Sequence, residues 1–420
     1  MVQTYYGTPD TLSLFKKNIF AIWWDPAHDH SADAEPLADI LTSIRDDCLS
    51  NLGMMDPPNP GKGFFYNVYI HHGEDDLFPS GWGMGQGTDP FGRPFLTMHF
   101  GGLFSQTLYH EGFHIFQYAA TSPGISKFTE FNFDTKCIGF AYAGDSQWFI
   151  ETTAEWYTVK KFREDRKLFL AAGAILANPQ LALWHSFGNH GPNDPAHNEG
   201  RPGWMYGVRQ YGMHTYLVFL TEVMCMERKF ITDGFYASTD MSPQEYLFSK
   251  VGAEKMRGLF ADWAAHNTGG MDYLTKDQLE RAYLEITNAG DWDYYRPYVW
   301  SSVDEGTGGD WFTPPADLTA RGWAYNVLNI NTTQSASYSF EFEGDATGSQ
   351  GATSFFVCRI VIMSKNGPVY SDMMMSSSLS GTATVAVTED DSSMFLVVAS
   401  VPEFFTSYQH YSYKVKILKQ

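Results

Sequence analysis

The sequence predicts an α+β domain with a mainly helical second half, followed by an all-β sandwich domain. Three observations indicate this. The 420 residues exceed the usual length of one domain. Apolar residues recur at helical spacing through the middle of the chain, and short alternating strands separated by turn residues fill its C-terminal part. We expect an N-terminal α/β part over 1–145, a helical part with a connector over 146–315, and the β-sandwich over 316–420.

Composition describes a folded globular protein and excludes one class of partner. Hydrophobic residues make up 44% of the chain and charged residues 18%, so disorder is not expected. The net charge of −20 repels phosphate backbones, and we expect no nucleic-acid partner. No apolar run is long enough to span a bilayer, so we expect no membrane span.

The first residues of the sequence bear on the cellular compartment in which the protein is found. They lack the charged-then-apolar order of a signal peptide. A secreted or periplasmic location is favoured if an export signal precedes this sequence, and a cytoplasmic location otherwise.

The N-terminal part combines strands with helices. Apolar runs of strand character occur at 18–24, 63–73 and 94–100. A helical pattern covers 34–53, and Gly101 and Gly102 break the third strand just before a helix over 104–120.

The middle of the chain reads as mainly helical. A capping box at 242–245 opens one helix, because Ser242 precedes Pro243 and Glu245 lies three residues after the cap. A Trp-, Tyr-, Gly- and Pro-rich connector covers about 291–315. The other predicted helices span 147–162, 167–179, 206–230, 254–267 and 275–287.

The C-terminal part alternates or runs apolar at strand length. Turn residues such as those at 365–368 separate the segments, which is typical of a β-sandwich. Binding of a glycan or a protein by this domain stays open as an alternative role. The predicted strands are 336–344, 354–363, 381–389, 394–401 and 411–418.

The segment His110-Glu111-Gly112-Phe113-His114 has the spacing of a zinc-binding helix. Residues four apart lie on one helix face, so the imidazoles of His110 and His114 can reach one ion. Glu111 is rotated about 100° from His110, too far for a ligand on that face but suited to holding an attacking water. Gly112 is unusual inside a helix and suggests that another backbone packs closely there.

A hydrolytic zinc site needs a third protein ligand. The metzincin continuation is excluded, because Ala120 stands where that pattern needs a histidine. Glu151, on the next long helix, is favoured because a helix holds a ligand more rigidly than a loop. Glu155 lies one turn later and is suited to accept the free N–H of a ligating histidine, with a solvated helix face as the alternative for this pair. Other sources of the third ligand are His185, His190, Asp194 and His197.

The two motifs together resemble those of the gluzincin (thermolysin-like) zinc metallopeptidases. The resemblance implies a zincin-like catalytic domain in which His110, His114 and Glu151 bind Zn²⁺ and Glu111 is the general base. Glu155 matches the position of a carboxylate that supports a ligating histidine, although the family has aspartate there. The whole arrangement, with its C-terminal β domain, also resembles uncharacterised bacterial gluzincin-like proteins.

The resemblance implies hydrolysis of peptide bonds in a peptide or protein substrate by a zinc-activated water. Tyr211 is the first candidate for a catalytic donor to the oxyanion, and Tyr142 and His214 are further candidates for stabilising the transition state. Two alternatives stay open. In one, the protein is a non-catalytic, zinc-containing binder of glycans or proteins; in the other, it is a zinc hydrolase of a non-peptide amide or ester.

Two further histidine pairs lie in predicted turns. His28 and His30 form one, and His71 and His72 form the other. Their side chains are of a metal-binding type, but we favour solvated turns for both pairs.

Overall fold

The computed structural model of the protein describes residues 11–56, 65–73, 85–88, 94–121, 146–162, 172–186, 209–236, 241–274, 300–304, 307–332, 335–405 and 408–420. Within these residues the chain forms helices and three β-sheets, and the part from Trp300 onward is mainly β. The prediction of mixed α and β structure followed by a β-rich region is confirmed at this level. No helix in these ranges is long and apolar enough to cross a membrane.

The chain divides into two units. Unit 1 comprises Met1–Leu168 and Met226–Pro243, and unit 2 comprises Phe169–Cys225 and Gln244–Gln420. These boundaries differ from those of the three predicted segments, because the chain leaves unit 1 and later returns to it. A prediction that follows the sequence from end to end does not anticipate such a return.

A mixed five-stranded sheet organises unit 1. Its strands are β1 (Ser13–Lys17), β2 (Phe20–Trp24), β3 (Tyr66–His71), β4 (Gly85–Thr88) and β5 (Pro94–His99), in the order β1-β2-β3-β5-β4. The predicted strands correspond to β2, β3 and β5, which run parallel, whereas β1 and β4 are antiparallel edges. Every residue of β2 and β3 is buried, as expected for parallel strands covered on both faces.

The helix that carries the histidine motif packs between two others. The three helices are α1 (Ser31–Ser50), α2 (Gln106–Thr121) and α3 (Gln147–Lys161), and α2 holds the motif. A Cβ atom at Gly112 would lie 2.8 Å from Cδ1 of Ile44 on α1. The rings of Phe113 and Tyr157 stack at 4.7 Å between α2 and α3. The close neighbour of Gly112 is therefore a side chain, which corrects the expectation of a backbone.

Replacing Gly112 with alanine is expected to destabilise the protein relative to the same change at Gly258, in the helix Ala253–Thr268. In a helix interior, alanine raises the free energy of unfolding by about 1 kcal/mol relative to glycine. At Gly258 this gain should be retained, because the nearest neighbour of the new methyl would lie 3.9 Å away. At Gly112 the methyl would overlap Ile44, and overpacking costs about 1–3 kcal/mol. Urea unfolding of the two variants measures the difference; equal gains would contradict this packing.

The returning segment completes unit 1. The hydroxyl of Thr232 donates to the carbonyl of Leu52 at 2.7 Å, just after α1. The guanidinium of Arg228 lies 4.1 Å over the ring of Trp156 on α3. Phe235 packs against Phe149 with ring centroids 5.6 Å apart. The segment therefore contacts the helices that flank the motif.

Unit 2 contains two sheets that share one core. Its strands are β6 (Trp300–Asp304), β7 (Ala324–Asn331), β8 (Ala336–Gly344), β9 (Phe356–Ser364), β10 (Gly367–Asp372), β11 (Met374–Ser377), β12 (Ser380–Val387), β13 (Asp391–Ser400) and β14 (Tyr413–Lys419). They form sheets of order β10-β9-β13-β7-β6 and β11-β12-β8-β14. Phe342 of one sheet and Ile360 of the other belong to the same buried cluster, as in a β-sandwich.

The β-rich region begins earlier than predicted. β6 lies in the predicted connector 291–315 and pairs in parallel with β7. Its five residues include a polar Ser-Ser pair, which hides the strand in the sequence. The predicted strands correspond to β8, β9, β12, β13 and β14, whereas β7, β10 and β11 are additional.

The helix predicted over 206–230 is not continuous. Helical residues end at Val223, and a new helix begins at Lys229. Between them Cys225 has a φ of 53°, a left-handed conformation that interrupts a helix. The predicted helix over 275–287 lies outside the described residues. Further described α-helices are Ala172–Ala177, His214–Val218, Lys229–Thr232, Pro243–Val251 and Ala253–Thr268, with a π-helix at Phe219–Val223 and 3-10 helices at Phe100–Gly102, Asp233–Tyr236 and Ala316–Leu318.

Candidate metal centre

The histidine pair lies on α2 directly after the central sheet. β5 ends at His99, a short turn follows, and α2 begins at Gln106. The helical repeat places His110 and His114 one turn apart on the same face. Their Nε2 atoms lie 3.1 Å apart, and both side chains are buried. The predicted convergence of these two imidazoles is therefore present.

Glu151 of α3 completes a three-residue cluster. Its Oε2 lies 3.1 Å from Nε2 of His110 and 3.6 Å from Nε2 of His114. The carboxylate is 4% exposed, and burying a charge is costly without a partner. Among the described residues, these three are the group of histidine, cysteine and acidic side chains whose ligand atoms converge within 4.8 Å.

The donor set fits a metal ion. Two atoms that lie about 2.0–2.1 Å from one ion at tetrahedral angles are about 3.3 Å from each other. The separations in the cluster, 3.1, 3.1 and 3.6 Å, bracket this value. Imidazole nitrogens and a carboxylate oxygen are ligands that zinc accepts. The cluster can therefore bind a metal ion with little rearrangement.

The outer nitrogen of each imidazole faces an oxygen atom. Nδ1 of His110 lies 3.1 Å from Oε1 of Glu155, the carboxylate that the sequence suggested as its support. Nδ1 of His114 lies 2.5 Å from Oε1 of Gln117. When Nδ1 carries the proton, the lone pair of Nε2 is free and points at the centre of the cluster. A metal ion requires this tautomer of a ligating histidine.

Gln117 was not identified from the sequence. Its Nε2 donates to the Ile150 carbonyl at 3.0 Å and to the Thr153 hydroxyl at 2.7 Å. These bonds hold the amide oxygen toward His114, so α3 fixes the second imidazole as well as supplying Glu151. The available signal was its position three residues after His114, on the same helix face.

Opposing charges dominate the electrostatics of the cluster. Burial alone lowers the pKa of His110, but Glu155 and Glu151 outweigh it and raise this pKa well above 6.5. Burial alone raises the pKa of Glu151, yet its hydrogen bonds with the two histidines bring it below 4.5. Without an ion, the cluster therefore holds a proton that a metal would displace.

Glu111 lies beside the cluster without joining it. It follows His110 on α2 and is half-buried. Burial raises its pKa above 4.5, and the charges of His114 and His110 oppose part of that increase. The side chain therefore lies within electrostatic reach of the ligands, and its role as a base stays a prediction.

The other predicted site residues either belong to unit 2 or lie outside the described residues. Tyr142 lies outside the described residues. Tyr211 and His214 belong to unit 2, where Nδ1 of His214 donates to the Tyr211 carbonyl at 2.9 Å. Their roles stay predictions. His185 also belongs to unit 2, and the alternative ligands His190, Asp194 and His197 lie outside the described residues.

Gln117→Leu is expected to weaken zinc binding about 10–100-fold, because His114 loses the contact that fixes its ring. Equilibrium titration of the metal-free variant with zinc measures this. The matched control is Gln244→Leu, at a buried glutamine of unit 2 that donates to the Phe405 carbonyl. The control should bind zinc like the parent, and an equal loss in both variants would contradict the role of Gln117.

Without an ion, the protein is expected to lose stability as pH rises from 6.5 through the raised pKa of His110. The charged imidazole between Glu151 and Glu155 stabilises the fold below that pKa. Glu151, with its lowered pKa, stabilises the fold above 4.5, and that contribution is lost only as pH falls. Thermal unfolding of chelator-treated protein at about pH 6 to 9 measures the loss.

The affinity for zinc is expected to increase as pH rises from about 6 to 9. The ion must displace the proton of His110, and that proton is held less tightly at higher pH. Zinc titrations at matched pH values check this. An affinity independent of pH would show that His110 binds no proton for the ion to displace.

Comparisons with known proteins leave the family open. No protein-family profile matches the chain, and no curated protein sequence matches it. Among solved structures, the pre-peptidase C-terminal domain of a collagenase from Bacillus anthracis matches with 9% identity and a TM-score of 0.19, over 29% of this chain and 98% of that domain.

Two further solved structures match at a similar level. A β-glucosidase from Paenibacillus barengoltzii has 8% identity and a TM-score of 0.13, over 36% of this chain and 17% of that chain. A 4-O-methyl-α-glucuronidase with specificity for decorated arabinogalactans has 8% identity and a TM-score of 0.17, over 88% of this chain and 54% of that chain. TM-scores this low carry no argument about the present chain.

Proposed function

We propose that the protein is a zinc-dependent metallopeptidase of the gluzincin kind, with a zincin-like catalytic domain. The observation that carries the proposal is the convergence of Nε2 of His110, Nε2 of His114 and Oε2 of Glu151 in one buried cluster. Catalytic zinc sites use three protein ligands, whereas structural sites usually use four. The three donors that the described residues supply favour catalysis over a purely structural ion.

Each residue of the cluster has a defined task. His110, His114 and Glu151 would hold the ion, while Glu155 and Gln117 fix the two rings from behind. A bound zinc ion polarises a carbonyl and lowers the pKa of a coordinated water to about 7. Because the side chains are already oriented, little reorganisation accompanies the reaction.

Glu111 is the proposed general base. It lies next to a ligand in sequence, but its rotation around α2 keeps it off the ligand face. Its carboxylate takes a proton from the attacking water and passes it to the leaving nitrogen, so that the carboxylate is regenerated. An oxyanion donor is also needed, and Tyr211, Tyr142 and His214 remain the proposed candidates.

A peptide or protein is the proposed substrate, and the test must separate it from the alternatives. Zinc-loaded protein is assayed against casein, a quenched-peptide library, a glycoprotein panel, and non-peptide amides and esters. Cleavage of peptide bonds that stops on chelation and returns with zinc supports the proposal. Cleavage of amides or esters alone indicates a different hydrolase. Zinc bound without any cleavage indicates a binding protein.

A further inference from the structure

Histidines gather where the parallel strands of unit 1 end. His28 and His30 follow β2, His71 ends β3 with His72 directly after it, and His99 ends β5. The carboxyl ends of neighbouring parallel strands meet at one edge of a sheet, which is a common place for ligands. These residues share no member with the His110 cluster. The interpretation of the pairs as solvated turns is wrong for His30, which is only 7% exposed, and for His71, which is fully buried at the end of β3.

Two of these imidazoles point at each other. Nε2 of His30 lies 2.8 Å from Nε2 of His72. Nδ1 of His30 lies 2.9 Å from Oδ2 of Asp33, in the first turn of α1. The carboxylate therefore holds one ring by its outer nitrogen, as Glu155 holds His110 in the first cluster.

The second ring is fixed by stacking. His72 lies between His28, with ring centroids 3.9 Å apart, and Phe100, with ring centroids 4.2 Å apart. Both partners are nearly parallel to it, at 15° and 10°. The ring plane of His72 is thus set by neighbours on both faces, while its Nε2 faces His30.

The separation of the two nitrogens suits adjacent positions on one ion. Two ligands at right angles and about 2.0 Å from an ion are about 2.8 Å apart, whereas tetrahedral ligands are about 3.3 Å apart. Right-angled coordination by nitrogen and oxygen is typical of copper(II) and nickel(II). A carboxylate on the outer nitrogen of a ligating histidine is likewise typical of metal sites.

The charges at this edge favour a cation. The N-terminus of a helix disfavours positive charge, but Asp29 and Asp33 lie at the N-terminus of α1 and offset it. Asp29 accepts a hydrogen bond from the Ser31 N–H at 2.9 Å, which keeps it at this position.

We propose that His30 and His72 form a second metal site, which binds a divalent nickel or copper ion through their Nε2 atoms. Solvent fills the remaining positions, and Asp33 orients His30. The site stands independently of the proposed peptidase, because it uses different residues. A metal-free hydrogen-bonded histidine pair is the competing account of the same geometry.

A nickel(II) titration of four proteins tests the proposal. Nickel is the probe because copper(II) would oxidise the exposed thiol of Cys225. The proteins are the chelator-treated parent, His72→Ala, Glu151→Gln and the double variant, and bound nickel is counted by elemental analysis after equilibrium dialysis. We expect two equivalents in the parent, one in each single variant and none in the double variant. His72→Ala should weaken binding at the second site at least 100-fold.

Controls separate the second site from general effects. His266→Ala removes another histidine that pairs with an aspartate, Asp272, through Nδ1 at 2.6 Å; it should keep both equivalents. Asp33→Ala leaves both imidazoles in place and should weaken the second site about 10–100-fold. Circular dichroism of each variant checks that it is folded.

The outcomes distinguish the two proposals. If folded His72→Ala and Asp33→Ala bind as much nickel as the parent, the second site is overturned. The metal-free hydrogen-bonded histidine pair then explains the geometry. A different result would favour the second site over the first: the parent binds one equivalent of nickel, Glu151→Gln keeps it, and His72→Ala loses it.

Discussion

Glu111→Gln should lower kcat/KM for peptide cleavage by about 10²–10⁴-fold while leaving one equivalent of zinc bound. Glutamine has the same shape as glutamate but cannot accept a proton from the attacking water. It does not disturb the ligands, because Glu111 lies off the face that carries His110 and His114. Parallel measurement of zinc content and hydrolysis separates loss of the base from loss of the ion.

The matched control is Glu254→Gln, at an exposed glutamate in the helix Ala253–Thr268. It removes the same charge and should retain full activity and full zinc content. Undiminished cleavage by zinc-loaded Glu111→Gln would remove Glu111 from the mechanism. If Glu111→Gln loses its zinc together with its activity, the side chain instead supports the ligands.

Glu151→Gln should weaken zinc binding at least about 100-fold and abolish the stabilisation that zinc confers. The change replaces a buried carboxylate oxygen, which lies 3.1 Å from Nε2 of His110, with a neutral amide. A ligand at about a thousand times its dissociation constant stabilises a folded protein by about 4 kcal/mol. The parent should therefore unfold at a clearly higher temperature when zinc is present, and the variant should not.

Glu155→Gln provides the graded comparison. Glu155 contacts the outer nitrogen of His110, so its loss should weaken zinc binding by only about 10–100-fold. Zinc-dependent thermal shifts of the two variants, measured at several zinc concentrations, rank the two carboxylates. Equal shifts in Glu151→Gln and the parent would disprove direct ligation by Glu151.

Local periodicity predicted the core of the candidate site. The spacing of His110 and His114 places both imidazoles on one face of α2, because helix geometry converts sequence spacing into direction. The choice of Glu151 rested instead on the rigidity of a helix as a support for a ligand. The same rule places Glu155 on the face of α3 that carries Glu151, but its approach to His110 depends on how α3 packs against α2. Sequence periodicity thus predicts which residues share a face of one helix.

Contacts between distant segments were beyond such reasoning. The pair His30 and His72 meets only because β2 and β3 are parallel neighbours, which no local pattern states. The role of Gln117 depends on the Ile150 carbonyl and the Thr153 hydroxyl of α3. The break at Cys225 depends on one backbone angle, and the residue type at that position does not signal it.

The discontinuous make-up of unit 1 affects how the protein is made. About 75 residues separate Leu168 from the end of the returning segment at Pro243. At translation rates of 5–20 residues per second, the ribosome needs roughly 4–15 s to synthesise them. During that interval Leu52, Trp156 and Phe149 lack the contacts that Thr232, Arg228 and Phe235 later provide. A nascent chain that stops at Leu168 should therefore expose apolar surface to chaperones and proteases.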